Sequence, residues 1–127
     1  MRASLKLAAV AIAGVVVGTT GLRVLRAQAT PHAFLVAEVD VKDTAAYREY
    51  VQGVTPIVTK FGGHYIARGG KTESFEGAKA AGRVALIEFP SLAALDRFET
   101  SAEYAKVAAI RRRAATSRIY AVEGVAP

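Results

Sequence analysis

Residues 33–124 alternate between two hydrophobic rhythms. The stretch 33–41, AFLVAEVDV, is β-rich with turn signals on either side, which predicts a first strand. Asp43 can cap the following helix through its carboxylate. Tyr47, Tyr50, Val51, Val54, Val58 and Phe61 recur at helical spacing and form one apolar stripe. Pro56 removes one backbone hydrogen bond and should bend that helix. Gly62-Gly63 ends it, because glycine takes the left-handed cap position cheaply. Residues 64–70, HYIARGG, read as a short strand, 71–77 as a turn or ragged hairpin, and 83–89, RVALIEF, as a strand stopped by Pro90. Ser91 caps a short helix whose buried face is Leu92, Leu95 and Phe98. Thr100 to Glu103 has the spacing of a capping box. A helix over about 102–114 follows, burying Tyr104, Val107 and Ala108, with Arg111 further along the same face. The stretch 117–124, SRIYAVEG, is the last strand.

The order is β-α-β-β-α-β with the second helix broken in two. This predicts an α+β fold of the ferredoxin-like kind, an antiparallel four-stranded sheet with helices on one face. A sheet wet on one side should alternate apolar with polar residues. Here Phe34, Val36 and Glu38 oppose Leu35, Ala37 and Val39, while Ala85, Ile87 and Phe89 oppose Val84, Leu86 and Glu88. Both sides are apolar, and the helices cover only one. At about 25 cal/mol per Å², covering a face of several hundred Å² contributes on the order of 10 kcal/mol. A two-fold dimer, sheet against sheet, is the simplest cover. The 71–82 segment and the N-terminal segment are the other candidates, and both are too polar or glycine-rich to serve well.

Charge changes the picture mainly at the N-terminus. The chain of 127 residues carries a formal +6. Arg2, Lys6, Arg23 and Arg26 lie in the first 29 residues, which hold no acid; the remainder has thirteen basic against eleven acidic residues. That balance is too weak for a nucleic-acid footprint, and no nucleic-acid partner is expected. Residues 1–29 have the layout of a signal peptide: a basic MRASLK, an apolar LAAVAIAGVVVG, and Ala27-Gln28-Ala29 as a cleavage pattern. The competing reading is an uncleaved anchor. The apolar run from Leu7 to Leu22 gives a helix of about 24 Å, short of the ~30 Å hydrocarbon core. Either reading places the domain, residues 30–127, in the periplasm or outside the cell. Membrane contact is then expected only through an uncleaved segment at 7–22. The absence of cysteine excludes disulfides, thiol nucleophiles and thiolate metal sites.

Candidate chemistry centres on 64–88. Gly70-Lys71-Thr72 looks like the end of a phosphate-binding loop, but the first glycine of that motif falls on Tyr65, and no helix follows the lysine. Gly69, Gly70 and Gly77 fit better as backbone-geometry residues around a hairpin or bulge. Arg68, Glu76, Arg83 and Glu88 come from neighbouring strands and their connection, and could converge. An arginine fork facing a carboxylate can orient an acidic or carbonyl ligand, or can simply pin the loop as an ion-pair network. Tyr104 could add a hydroxyl, although its spacing also suits core packing. His64, read as sharing a side with Ile66 and Arg68, could act as a general base, or be an exposed strand-end imidazole. The catalytic candidates are therefore His64, Arg68 and Glu88; the ligand-binding candidates are Arg68, Glu76, Arg83, Glu88 and Tyr104. No spacing of His, Asp and Glu suggests a metal, and none suggests a cofactor. Arg111 to Arg113, in the last turns of a helix, read as a solvated face that complements the helix dipole.

The ordered series GGHYIARGG, EG, RVALIEFPS, SAEYAKVAAIRRRAATS and VEG resembles the domain-of-unknown-function 1330 family of the dimeric α-β barrel superfamily, over about 34–124. The resemblance implies a ferredoxin-like protomer and a homodimeric barrel made of two sheets. The family pattern falls on Gly62, Gly63, Tyr65, Arg68, Gly69, Gly70, Glu76, Gly77, Arg83, Glu88, Phe89, Ser91, Ser101, Tyr104, Arg111 and Gly124. His64 stands where the family often has another polar residue, and Ala102 where it commonly has proline. The family has no common reaction. Its superfamily includes cofactor-free monooxygenases, muconolactone-type isomerases and stress-responsive binding proteins. Three functional readings follow: a module binding a small molecule beside the sheet; a cofactor-independent monooxygenase or isomerase, with His64 or Glu88 moving a proton and Arg68 stabilising developing charge; or a structural domain without a ligand.

Overall fold

The structure, a computed structural model, describes residues 29–127. The leader reading falls on residues outside that range. The elements are β1 (Ala33–Val41), α1 (Thr44–Lys60), β2 (His64–Arg68), β3 (Arg83–Phe89), α2 (Leu92–Glu99), α3 (Ala102–Ala114) and β4 (Ala115–Glu123). The strands form one sheet in the order β2-β3-β1-β4, with every neighbouring pair antiparallel. This is the predicted ferredoxin-like arrangement. Among the described residues, no helix is long and apolar enough to cross a membrane.

Local chemistry sets the element ends. Asp43 Oδ1 accepts from the Ala46 N–H at 3.1 Å and starts α1. At the other end Gly62 adopts φ 85°, and the Gly62 and Gly63 N–H groups donate to the Thr59 and Val58 carbonyls. This closes the helix with paired bonds to its last carbonyls. Gly63 has a second constraint: a Cβ there would stand 2.8 Å from the Phe89 ring and 2.9 Å from Val58. The start of α3 differs from the predicted capping box by one residue. Ser101, not Thr100, accepts from the Tyr104 N–H, at 3.1 Å. Thr100 instead turns its hydroxyl back to the Asp96 carbonyl at 2.7 Å and closes α2. β4 begins at Ala115, two residues earlier than predicted and with no loop after α3. The Lys42 and Asp43 N–H groups both donate to the Ala114 carbonyl, at 2.8 and 2.9 Å. The exposed end of α3 is thus satisfied by the β1–α1 connection, and the chain can turn extended at once.

The three helices lie on one face of the sheet. Ala33, Leu35, Ala37 and Val39 of β1 are buried there, with Ile87 and Phe89 of β3. They meet Val54 and Val58 of α1, Leu95 and Phe98 of α2, and Tyr104 and Ala108 of α3. Phe98 is the hub, its ring centroid 5.3 Å from Phe89 and 4.5 Å from Tyr104. The opposite face carries Phe34, Val36, Val84 and Leu86, all half-buried, beside Tyr120 and Val122, which are 46% and 52% exposed. The expectation that both sides of the sheet are apolar holds, and among the described residues no helix covers the second side.

Candidate functional site

β2 decides which side chains meet. His64 pairs with Glu88 and Tyr65 with Ile87, but Ala67 pairs with Leu86 and Arg68 with Ala85. Ile66 is the extra residue of a bulge, so the strand changes phase after Tyr65. His64 therefore lies on the open face with Glu88, whereas Arg68 shares the helix face with Tyr65 and Arg83. This corrects the reading that put His64 and Arg68 on one side. The predicted convergence of Arg68, Glu76, Arg83 and Glu88 does not occur. The two arginines are separated from Glu88 by the sheet, and Glu76 is exposed in the 69–82 connection. Two separate polar clusters result.

The first lies between the sheet and helices α1 and α3. Tyr47 and Tyr50 reach it from α1, Tyr65 and Arg68 from β2, Arg83 from β3, and Tyr104 and Arg111 from α3. Its enclosed volume is about 30 Å³, room for one water and no more. Each arginine leans on a phenol ring: Arg68 on Tyr65 at 4.0 Å, Arg83 towards Tyr47 at 5.5 Å, Arg111 towards Tyr50 at 5.8 Å. Arg68 Nη2 donates to Thr55 Oγ1 at 2.7 Å, and Arg111 Nη2 donates to the Tyr104 hydroxyl at a long 3.3 Å. The Nε atoms of Arg83 and Arg111 are buried without a hydrogen-bond partner. Gly69, at φ 69°, passes over the Arg83 guanidinium, where a Cβ would come within 3.2 Å of it. Burial pushes the hydroxyls of Tyr47, Tyr50 and Tyr65 above the usual phenol range, so they stay protonated donors at neutral pH.

Arg111 was not singled out as a site residue, and the structure separates it from its neighbours. It is only 7% exposed, while Arg112 and Arg113 are solvated. The signal was present in the spacing: Arg111 follows Tyr104 by two helical turns on the buried stripe, a position the dipole argument for the arginine run passed over. Arg111 also borders a second, open space of about 440 Å³ between α2, α3 and β4. Leu35 and Ile119 line both spaces. Among the described residues four buried side-chain atoms lack partners, and three of them belong to residues that line the open groove: Arg111 Nε, Glu99 Oε1 and Ser117 Oγ.

The second cluster is on the open face. His32 Nδ1 lies 2.6 Å from Glu88 Oε1, and His64 Nε2 lies 3.2 Å from Glu88 Oε2, so one carboxylate bridges two imidazoles. The His32 hydrogen bond, with the nearby His64, holds the Glu88 carboxyl below the usual carboxylate range. Among the described residues, no three His, Asp or Glu side chains are placed to hold a metal ion.

The fold and the enclosed Arg–Tyr cavity define an α+β protein of the ferredoxin-like class with a polar chamber under its sheet. The chain belongs to the domain of unknown function family DUF1330, whose model matches residues 32–125. No curated protein matches it. Among solved structures it is similar to a protein of unknown function from Rhodopseudomonas palustris, with a TM-score of 0.62 and 20% identity, covering 85% of this chain and 94% of that one. It is also similar to SnoaB, a cofactor-independent oxygenase from Streptomyces nogalater, with a TM-score of 0.55 and 15% identity over 73% and 92% of the two chains. A dimeric ferredoxin-like protein of unknown function from Jannaschia sp. CCS1 gives a TM-score of 0.52 at 10% identity, over 72% and 98%. These likenesses establish a shared fold.

Proposed function

We propose that the protein binds a small organic molecule at the Arg–Tyr wall under its sheet and in the open groove that shares Arg111 with it, and does so as a homodimer. The observation that carries the binding reading is the composition of the chamber wall. Three guanidinium groups and four phenols surround one space whose lining includes no carboxylate, and two of the arginine Nε atoms are unpartnered. Buried polar atoms are normally satisfied, so such a wall is built for a guest with acceptors. The homodimer reading rests on the apolar sheet face that no helix covers among the described residues, and accords with the dimeric Jannaschia protein of the same fold. The leader composition places the domain outside the cytoplasm on this reading, and N-terminal sequencing of the exported form checks it.

A second reading is a cofactor-independent oxygenase or isomerase, as SnoaB is an oxygenase. Its specific support is the same row of guanidinium and phenol groups, which can stabilise an oxyanion. It needs a base other than His64 or Glu88, since both stand on the far side of the sheet. Binding asks less of the geometry and is preferred.

A thermal-shift screen of small metabolites tests the binding reading, because a guest held by the native state raises stability. A hit should lose its effect when Tyr104 is replaced by Phe and Arg111 by Met. A screen without hits, or one whose hits ignore both substitutions, rejects this chamber as the site.

A further inference from the structure

We infer that the guest is a small organic carboxylate, with its acid group on Arg111 and its body in the open groove between α2 and β4. This inference rests on the binding reading above and adds the ligand class and its orientation.

The enclosed chamber alone, at about 30 Å³, is too small for an organic molecule. The groove beside it, at about 440 Å³, has the right scale. Arg111 is the charged residue common to both spaces. It is more than nine-tenths buried, its Nε has no partner, and its side-chain neighbours are phenols, Tyr104 at a long 3.3 Å and Tyr50 beside it. A buried guanidinium without a bonded anion is an expensive arrangement, and a planar carboxylate matches its donor fork. Among the described residues no carboxylate lies within ion-pairing distance of it. Glu99, on the groove side, feels the charge of Arg111 and Arg112 but does not bond Arg111.

The surroundings fit the same ligand. The Tyr104 hydroxyl accepts from Arg111, and an accepting hydroxyl still carries a proton that it can turn towards a ligand oxygen beside the guanidinium. Leu35, Leu95, Ile119 and Ala121 supply apolar wall for the body of the molecule, while Asp96 and Glu99, which also line the groove, confine its acid group to the Arg111 end. The other chamber cations, Arg68 and Arg83, add favourable potential, and Arg68 is already engaged by Thr55 and Tyr65.

The test is calorimetric titration of the full chain with benzoate and with benzamide, which share shape and differ in charge. Benzoate should bind at least about tenfold more tightly. Arg111→Met should remove most of that preference, while Arg113→Gln, an exposed charge outside the groove, should leave it intact. If Arg111→Met does not fold, the benzoate–benzamide ratio in the unaltered chain still decides the class. Equal affinity for the two probes, or a metabolite screen whose chamber-dependent hits are all uncharged, overturns the carboxylate assignment while the chamber stands. Binding of neither probe together with an empty metabolite screen overturns both.

Discussion

On the helix-covered face of the sheet, three arginines stand among phenol rings with no carboxylate bonded to them. On the open face, a carboxylate is held between two imidazoles, and Glu38 meets Arg118 at 3.6 Å. The same strands supply both sides. Ile87 and Glu88 are consecutive, and so are Arg83 and Val84, yet each pair divides between environments. Charges on the open face find partners and stay near water, where pairing contributes little to stability. On the covered face Arg111 is withdrawn from water, so its missing partner matters energetically. The difference teaches where to look for function: the paired cluster is satisfied as it stands, and the unpaired one is not.

The comparison is broken most severely by altering the open face. If two copies cover it, Val36→Asp puts a carboxylate at its centre, beside Leu86 and Tyr120. An unpaired charge buried there costs several kcal/mol, so the dimer should weaken by about a thousandfold or more. Sedimentation equilibrium reads this directly. An unaltered chain that sediments as a single copy at micromolar concentration refutes the covered-face reading.

The covered face is best probed at its hub. Phe98→Ala removes a ring in contact with Phe89 and Tyr104 and should destabilise the fold by about 3–5 kcal/mol. Gly63→Ala should cost about 1–3 kcal/mol, since the new methyl meets Phe89 and Val58 and neither ring nor branched chain can yield fully. Urea unfolding measures both. A Gly63→Ala protein as stable as its parent means that the loop carrying Gly63 can shift at no cost.

Much of the architecture was legible because it follows from local rules. The apolar stripe of α1, the Asp43 and Ser91 caps and the Gly62-Gly63 stop each depend on neighbours within a few residues. The candidate site was less legible for one main reason. The bulge at Ile66 inverts the phase of β2, and a single extra residue moves Arg68 to the other side of the sheet. Nothing in HYIARGG marks that position, because the bulge answers to pairing with β3. Likewise Thr100 and Ser101 are both competent caps, and the choice between them depends on how α2 closes. Arg111 could have been found from its place on the Tyr104 stripe, had burial been weighed above the habit of assigning arginines to solvent.

A finer probe of the covered side is Glu99. Burial pushes its carboxyl above the usual range, against the pull of Arg111 and Arg112. A group whose folded pKa is raised binds its proton more tightly in the native state. Its ionisation therefore destabilises the fold as pH rises through the folded value. Glu99→Gln should remove that loss and make stability flatter with pH above the ordinary carboxylate range. A profile unchanged in that range, with a shallower acid limb, would mean that Glu99 is held charged by Arg111 after all.

The smallest expected effect is at Glu88, where the sign is opposite. Its folded pKa is depressed, first by the His32 hydrogen bond and then by the nearby His64. The native state thus binds its proton less tightly than the unfolded chain. The associated stability is complete above the ordinary carboxylate value and is lost as pH falls through the depressed one. Glu88→Gln should leave stability nearly unchanged at low pH, lower it modestly above the ordinary carboxylate value, and make the acid limb of the stability profile shallower. Glu88 is close to water, so the difference at neutral pH should be modest and should shrink further with added salt. If two copies bury this face, the picture changes in a measurable way. The imidazole–carboxylate pair then lies in an interface, and the same substitution should shift the acid dependence of dimerisation as well as that of unfolding. Measuring both profiles on one variant separates a solvated cluster, which moves only the second, from an interfacial one.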